Sequence, residues 1–165
     1  LYYREGASIN NFSSCLPASQ SSLAQELTKD PYNFDFLTLR DGYLERELED
    51  ALTDNITKFL IELGNGFAYV GRQVRLEVGG DEFFIDLLFY HLKLRSYVVI
   101  ELKTGDFQPE YIGKLGFYVS AINHEMKLPQ DNPTIGLLIC KSKNNIVARY
   151  TLDTANLPSV SLNMN

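Results

Sequence analysis

Residues 66–103 read GFAYVGRQVRLEVGGDEFFIDLLFYHLKLRSYVVIELK. Tyr69–Val78 is rich in Val, Tyr and Leu, and Gly79-Gly80-Asp81 is turn chemistry that sends the chain back through Phe83–Tyr90. The two runs predict a β-hairpin. Tyr97–Leu102 follows and is almost wholly apolar, as expected of a central strand covered on both faces.

Upstream, Leu44, Leu48, Ala51, Leu52, Ile56, Phe59, Leu60 and Leu63 recur at intervals of three and four, which predicts one amphipathic helix stopped by Gly64 and Gly66. Before it, residues 1–22 hold six serines and Pro17 and read as an irregular arm. A short helix at about 20–28 is expected, ended by the Asp30-Pro31 step. Downstream, Pro109 suits the first turn of a second helix with Ile112, Leu115, Tyr118, Val119 and Ile122 on its apolar face. Thr134–Cys140 and Ile146–Leu152 read as two further strands. The order of helix, three strands, helix and two strands predicts an α/β fold with a mixed central sheet flanked by helices. The expected division is an arm over 1–36, the tail of a missing N-terminal domain, and a globular domain over 37–165. The opening Leu1, in place of Met, is the reason to expect a piece of a longer protein.

With 165 residues, 45% hydrophobic and 22% charged, the chain has room for one domain with a sizeable core. No apolar run is long enough to cross a bilayer, and no secretory leader pattern opens the chain. Cys15 and Cys140 show no metal-ligand spacing and read as thiols of a reducing compartment, hence the cytoplasm. The net charge of −6 does not favour a nucleic-acid partner. That acidity is confined to the front: residues 1–66 hold 5 basic and 11 acidic side chains, whereas residues 67–165 hold 10 of each.

Charge intrudes where core strands should be apolar. Asp86 interrupts Phe83–Phe89, and Glu101 and Lys103 close Val98-Val99-Ile100-Glu101-Leu102-Lys103. Side chains alternate along a strand, so Glu101 and Lys103 share a face. Two buried carboxylates need compensation, and a hard divalent cation between Asp86 and Glu101 would supply it. Lys103 would then orient the attacking water or neutralise transition-state charge. At 100° per residue, Glu45 falls at the angle of Leu63, inside the apolar stripe, with Glu49 at its margin as the substitute. An ordinary alternative is that the charged side chains simply pair with one another or with Arg95 at a sheet edge. Arg72, Gln73 and Arg75 could reach a phosphate from the first strand, or merely face solvent. His91 reads as a surface turn histidine, and Phe107, Tyr111 and Phe117 as core or base-stacking aromatics.

Asp86…Glu101-Leu102-Lys103 on a hairpin and the next strand, after a helix bearing Glu45-Arg46-Glu47-Leu48, resembles the PD-(D/E)XK nuclease superfamily. The similarity is closest to its YhcG-like branch, rests on residues 66–121 and extends less sharply over about 31–152. It implies a restriction-endonuclease-like αβββαβ core and Mg2+ or Mn2+ held by Asp86 and Glu101. Lys103 would assist catalysis, and the first-helix glutamate maps onto Glu45. Ile85 stands where the motif name has proline. Some relatives place Gln and Tyr four apart on the second helix; here Lys114 and Tyr118 take that spacing, as a phosphate contact and a groove-lining ring. The implied activity is hydrolysis of DNA phosphodiesters in processing, repair or defence against foreign DNA, by a homodimer. The rival is a non-cleaving nucleic-acid-binding or protein-interaction module that keeps the fold.

Overall fold

A computed structural model describes residues 9–28, 32–37, 42–155 and 157–164. The elements in chain order are β1 (Ile9–Asn10), α1 (Phe12–Cys15), α2 (Ala18–Leu27), α3 (Glu45–Asp54), α4 (Ile56–Leu63), β2 (Phe67–Val78), β3 (Asp81–His91), β4 (Ser96–Leu102), α5 (Pro109–Glu125), β5 (Ile135–Cys140), α6 (Asn145–Thr154) and β6 (Ser159–Asn163). They form one mixed six-stranded sheet of spatial order β1-β6-β5-β4-β3-β2. β2, β3 and β4 are antiparallel neighbours, and β4, β5 and β6 run parallel. The expected hairpin turns at Gly79 and Gly80, both with positive φ (61° and 88°), which glycine adopts without steric penalty.

Helices cover both faces of the sheet. Phe12, Leu48, Leu52, Phe59 and Leu63 pack with Leu87, Phe89, Ile100, Leu137 and Ile139 on one side. Ile112, Leu115, Val119, Ile122, Ala148 and Leu152 pack with Ile85, Leu88, Val99 and Leu138 on the other. Alternate residues of β5 thus feed opposite cores, so the strand can be apolar throughout. Each fully buried side chain of this size contributes roughly 1.5–3 kcal/mol. Gly136 lets α5 approach closely: a Cβ there would meet Leu115 Cγ at 2.7 Å. Among the described residues, no helix is long and apolar enough to cross a membrane.

Several sequence expectations need correction. The segment read as an irregular arm carries β1, α1 and the start of α2, with β1 paired to β6 and Phe12 fully buried. The Asp30-Pro31 step lies outside the described residues. The single helix over 44–63 is two, because Asn55 leaves helical geometry (φ −113°, ψ 40°) between α3 and α4. Ile146–Leu152, read as a strand, lies within α6. Its β-branched pair Ile146-Val147 suggests extension, but the Asn144 side chain caps it by accepting from the N–H groups of both. The helix buries Ala148 and Leu152, four apart, and leaves Ile146 and Tyr150 exposed. The last strand comes later, at Ser159–Asn163.

Candidate active site

The candidate residues meet where β3 and β4 separate. Their ladder runs from His91↔Ser96 to Leu87↔Ile100. Beyond it, Asp86 Oδ2 accepts the Leu102 N–H at 3.2 Å, so a side chain takes the place of the neighbouring strand's carbonyl. Glu101, on β4, and Lys103, just past its end, face α5 as their spacing predicts. Glu101 Oε2 lies 3.9 Å from Lys114 Nζ, and Lys103 Nζ sits 4.8 Å above the Tyr111 ring. Lys114 Nζ is also 5.7 Å above the Tyr118 ring. Tyr111, Lys114 and Tyr118, three and four apart, therefore share the helix face turned to the site.

On the other side α3 brings two glutamates. Glu45 Oε2 is 3.7 Å from Lys103 Nζ, but its side chain is 46% exposed. Glu49 is buried; its Oε1 accepts Arg72 Nε at 3.0 Å and its Oε2 accepts Gln73 Nε2 at 2.9 Å. The placement of Glu45 on the core face is thus corrected, and Glu49 holds that position. An angle counted from Leu63 back to Glu45 passes through Asn55, where the helix breaks and phase is lost. Within α3 the buried residues are Leu48, Glu49 and Leu52. Arg72 also donates to Asp50 Oδ1 at 2.5 Å, so carboxylates already engage its guanidinium. Gln73 Nε2 reaches a second carboxylate, Asp86 Oδ1, at 3.3 Å. Glu45, Arg46, Glu49, Arg72, Gln73 and Asp86 line a cleft of about 340 Å3. A larger hollow of about 680 Å3 between α5 and α6 is lined by none of the candidate residues.

The electrostatics single out Glu101. It is 2% exposed, and its Oε1 has no hydrogen-bond partner. Burial, then the neighbouring negative charge of Asp86, pushes its carboxyl up to about 7, while Lys114 and Lys103 pull the other way. Burial likewise raises Glu49, against the amide hydrogen bond from Gln73. Among the described residues no three Asp, Glu, His or Cys side chains form a ready metal cage. Two carboxylates, one with an orphaned oxygen, nevertheless fit a cation that keeps much of its water, as Mg2+ does.

Other sequence candidates separate from this centre. His91 is fully buried, not a surface turn residue; its Nε2 lies 3.1 Å from Asn65 O and its Nδ1 accepts the Leu94 N–H. That arrangement needs the neutral ring, and burial lowers its pKa accordingly. Phe107 is core, while Phe117 is exposed at 38% and packs on Phe83. Tyr118 is nearly buried, its hydroxyl pKa raised first by burial and then by the charges of Glu101 and Asp86. The bridging position of Gln73 has no sequence signal, because a polar residue on a partly exposed strand is ordinary.

The chain matches the YhcG PDDEXK nuclease domain family over residues 25–162. It is 39% identical over 146 residues to "Putative nuclease YhcG" of Escherichia coli (strain K12), covering 88% of this chain and 38% of that protein. The chain therefore spans well under half the length of this curated relative. Two solved structures are similar at lower identity. A repair endonuclease from Pyrococcus abyssi is 20% identical, with a TM-score of 0.47, covering 76% of this chain and 48% of that one. An EndoMS–dsDNA2 complex is 18% identical, with a TM-score of 0.49, covering 76% and 47%.

Proposed function

The chain belongs to the YhcG PDDEXK nuclease domain family, and on that premise we propose that it hydrolyses DNA phosphodiester bonds with Mg2+ or Mn2+ held by Asp86 and Glu101. The observation that carries this reading is the Glu101 carboxyl: buried, one oxygen unpartnered, and pushed up to about 7 by burial and by Asp86. A divalent cation would favour the ionised form and satisfy that oxygen. When bound, such a cation supplies Lewis acidity at the scissile phosphate.

The chain's own groups do the rest. Lys103, held between Glu45 and the Tyr111 ring, orients the attacking water and offsets charge growing on the phosphate oxygens. Lys114 turns from Glu101 to a substrate phosphate, and Tyr118 forms the floor beneath it. Arg72 and Gln73 keep Glu49 and Asp86 in place at the cleft, where the nucleic acid approaches. The same reading implies DNA processing, repair or defence against foreign DNA in the cytoplasm. It also implies a homodimer, since two strands of a duplex present two scissile bonds to a twofold assembly.

The test is incubation with labelled linear, nicked, branched and single-stranded DNA in Mg2+ and in Mn2+. Wild type should cut at least one substrate, and Lys103→Ala should lose about 10²–10⁴-fold in rate. Identical behaviour of the two proteins on every substrate would rule the reading out.

A further inference from the structure

We propose that Gln73 is a positioning residue that orients Asp86, one of the two proposed cation ligands, by tying it to Glu49, an inference that rests on the nuclease reading above. Gln73 has φ 45°, in the left-handed region, and Arg95 (φ 54°) is the one other non-glycine residue with positive φ among those described. Arg95 lies in the turn between β3 and β4, where such a conformation is common. Gln73 lies inside a strand, between the paired positions Arg72↔Leu87 and Val74↔Ile85 and directly opposite Asp86. A non-glycine residue is held so only when its surroundings over-determine it, and such strain collects at functional sites.

The strained backbone delivers one carboxamide to two acids. Its Nε2 donates to Asp86 Oδ1 at 3.3 Å and to Glu49 Oε2 at 2.9 Å. The other Asp86 oxygen accepts the Leu102 N–H, and the other Glu49 oxygen accepts Arg72. Asp86 is thereby gripped at both oxygens, in one orientation, beside Glu101. Gln73 also ties α3 to the hairpin, which fixes the width of the cleft at the carboxylates. Hydrogen bonds to ionised groups are strong enough to offset backbone strain. Removing a partner that orients a metal ligand typically weakens metal binding 10–100-fold.

The experiment compares full chains of wild type, Gln73→Gly, Gln73→Asn and Asp86→Ala, by Mn2+ titration calorimetry and by metal-free thermal unfolding. Glycine accepts the left-handed backbone without strain, and asparagine tolerates it while being one methylene too short to span both acids. Gln73→Gly, which relieves the backbone strain as it loses the carboxamide, should keep a metal-free Tm near wild type, and both variants should bind Mn2+ about tenfold more weakly. Asp86→Ala should lose Mn2+ binding altogether. Unchanged or tighter Mn2+ binding in the Gln73 variants, with loss in Asp86→Ala, would overturn the positioning role alone. A Tm drop of several degrees in both Gln73 variants would reduce the residue to a structural prop and overturn it as well. Wild-type binding by Asp86→Ala would sink the nuclease reading itself.

Discussion

Strands β4 and β5 lie side by side, parallel and equally deep, yet only one carries charge. Ile135–Cys140 is buried at every residue and wholly uncharged, and Leu138 in its middle is fully enclosed. Its direct register partner is Glu101, 2% exposed, on β4. The same depth in the same sheet thus accommodates a leucine on one strand and a carboxyl on the next. The Glu101 site differs in having Asp86, Lys103 and Lys114 around the acid, together with an oxygen that finds no protein partner. A carboxyl that folding alone would disfavour is kept beside a second carboxylate and two lysines.

The largest effect should come from erasing that difference. Leu138→Glu puts a carboxylate at the same depth with no partners, and should cost about 4 kcal/mol or more, read as loss of the urea unfolding transition. A variant that folds normally would show that the surroundings of Glu101 are not what lets β4 carry a buried acid.

A smaller effect concerns pH. The folded chain holds the Glu101 proton more tightly than the unfolded chain, whose carboxyl titrates near the ordinary 4.5. Metal-free stability should therefore fall as pH rises from about 4.5 through about 7, by on the order of 3 kcal/mol at most, and then level off. Glu101→Gln should flatten this slope, leaving only the same-signed contribution of buried Glu49, and be the more stable protein at pH 8, measured by urea unfolding across the range. A wild-type profile that rises over that window would contradict the sign.

Smallest should be the exposed charges of the hairpin. Arg75 pairs with Glu77 at 3.2 Å and with Glu82, with all three side chains more than half exposed. Arg75→Ala should change stability by less than about 1 kcal/mol. A larger loss would mean that position in the sheet matters less than charge as such.

The contrast explains what could be read from sequence. Asp86, Glu101 and Lys103 were legible because they break apolar runs, and strand alternation placed two of them on one face. The turn at Gly79-Gly80 and the apolar stripe of α5 were legible for similar local reasons. The phase of Glu45 and Glu49 was not, since one residue, Asn55, breaks the helix on which the angle was counted. Nor was α6, where β-branched Ile146 and Val147 favour extension while the Asn144 cap and the buried Ala148–Leu152 pair favour a helix. On its strand Gln73 reads as a residue that reaches a phosphate or faces solvent, but its left-handed backbone and double grip on Glu49 and Asp86 depend on three elements meeting. Pattern along a single strand carries no trace of that.

The role proposed for the buried acid on β4 is to hold a divalent cation. Calorimetric titration of Mn2+ into wild type and Glu101→Gln at pH 8 tests it most directly, because the substitution keeps shape and burial while removing the charge. Wild type should bind and Glu101→Gln should show no saturable heat; equal affinity in both would contradict the claim.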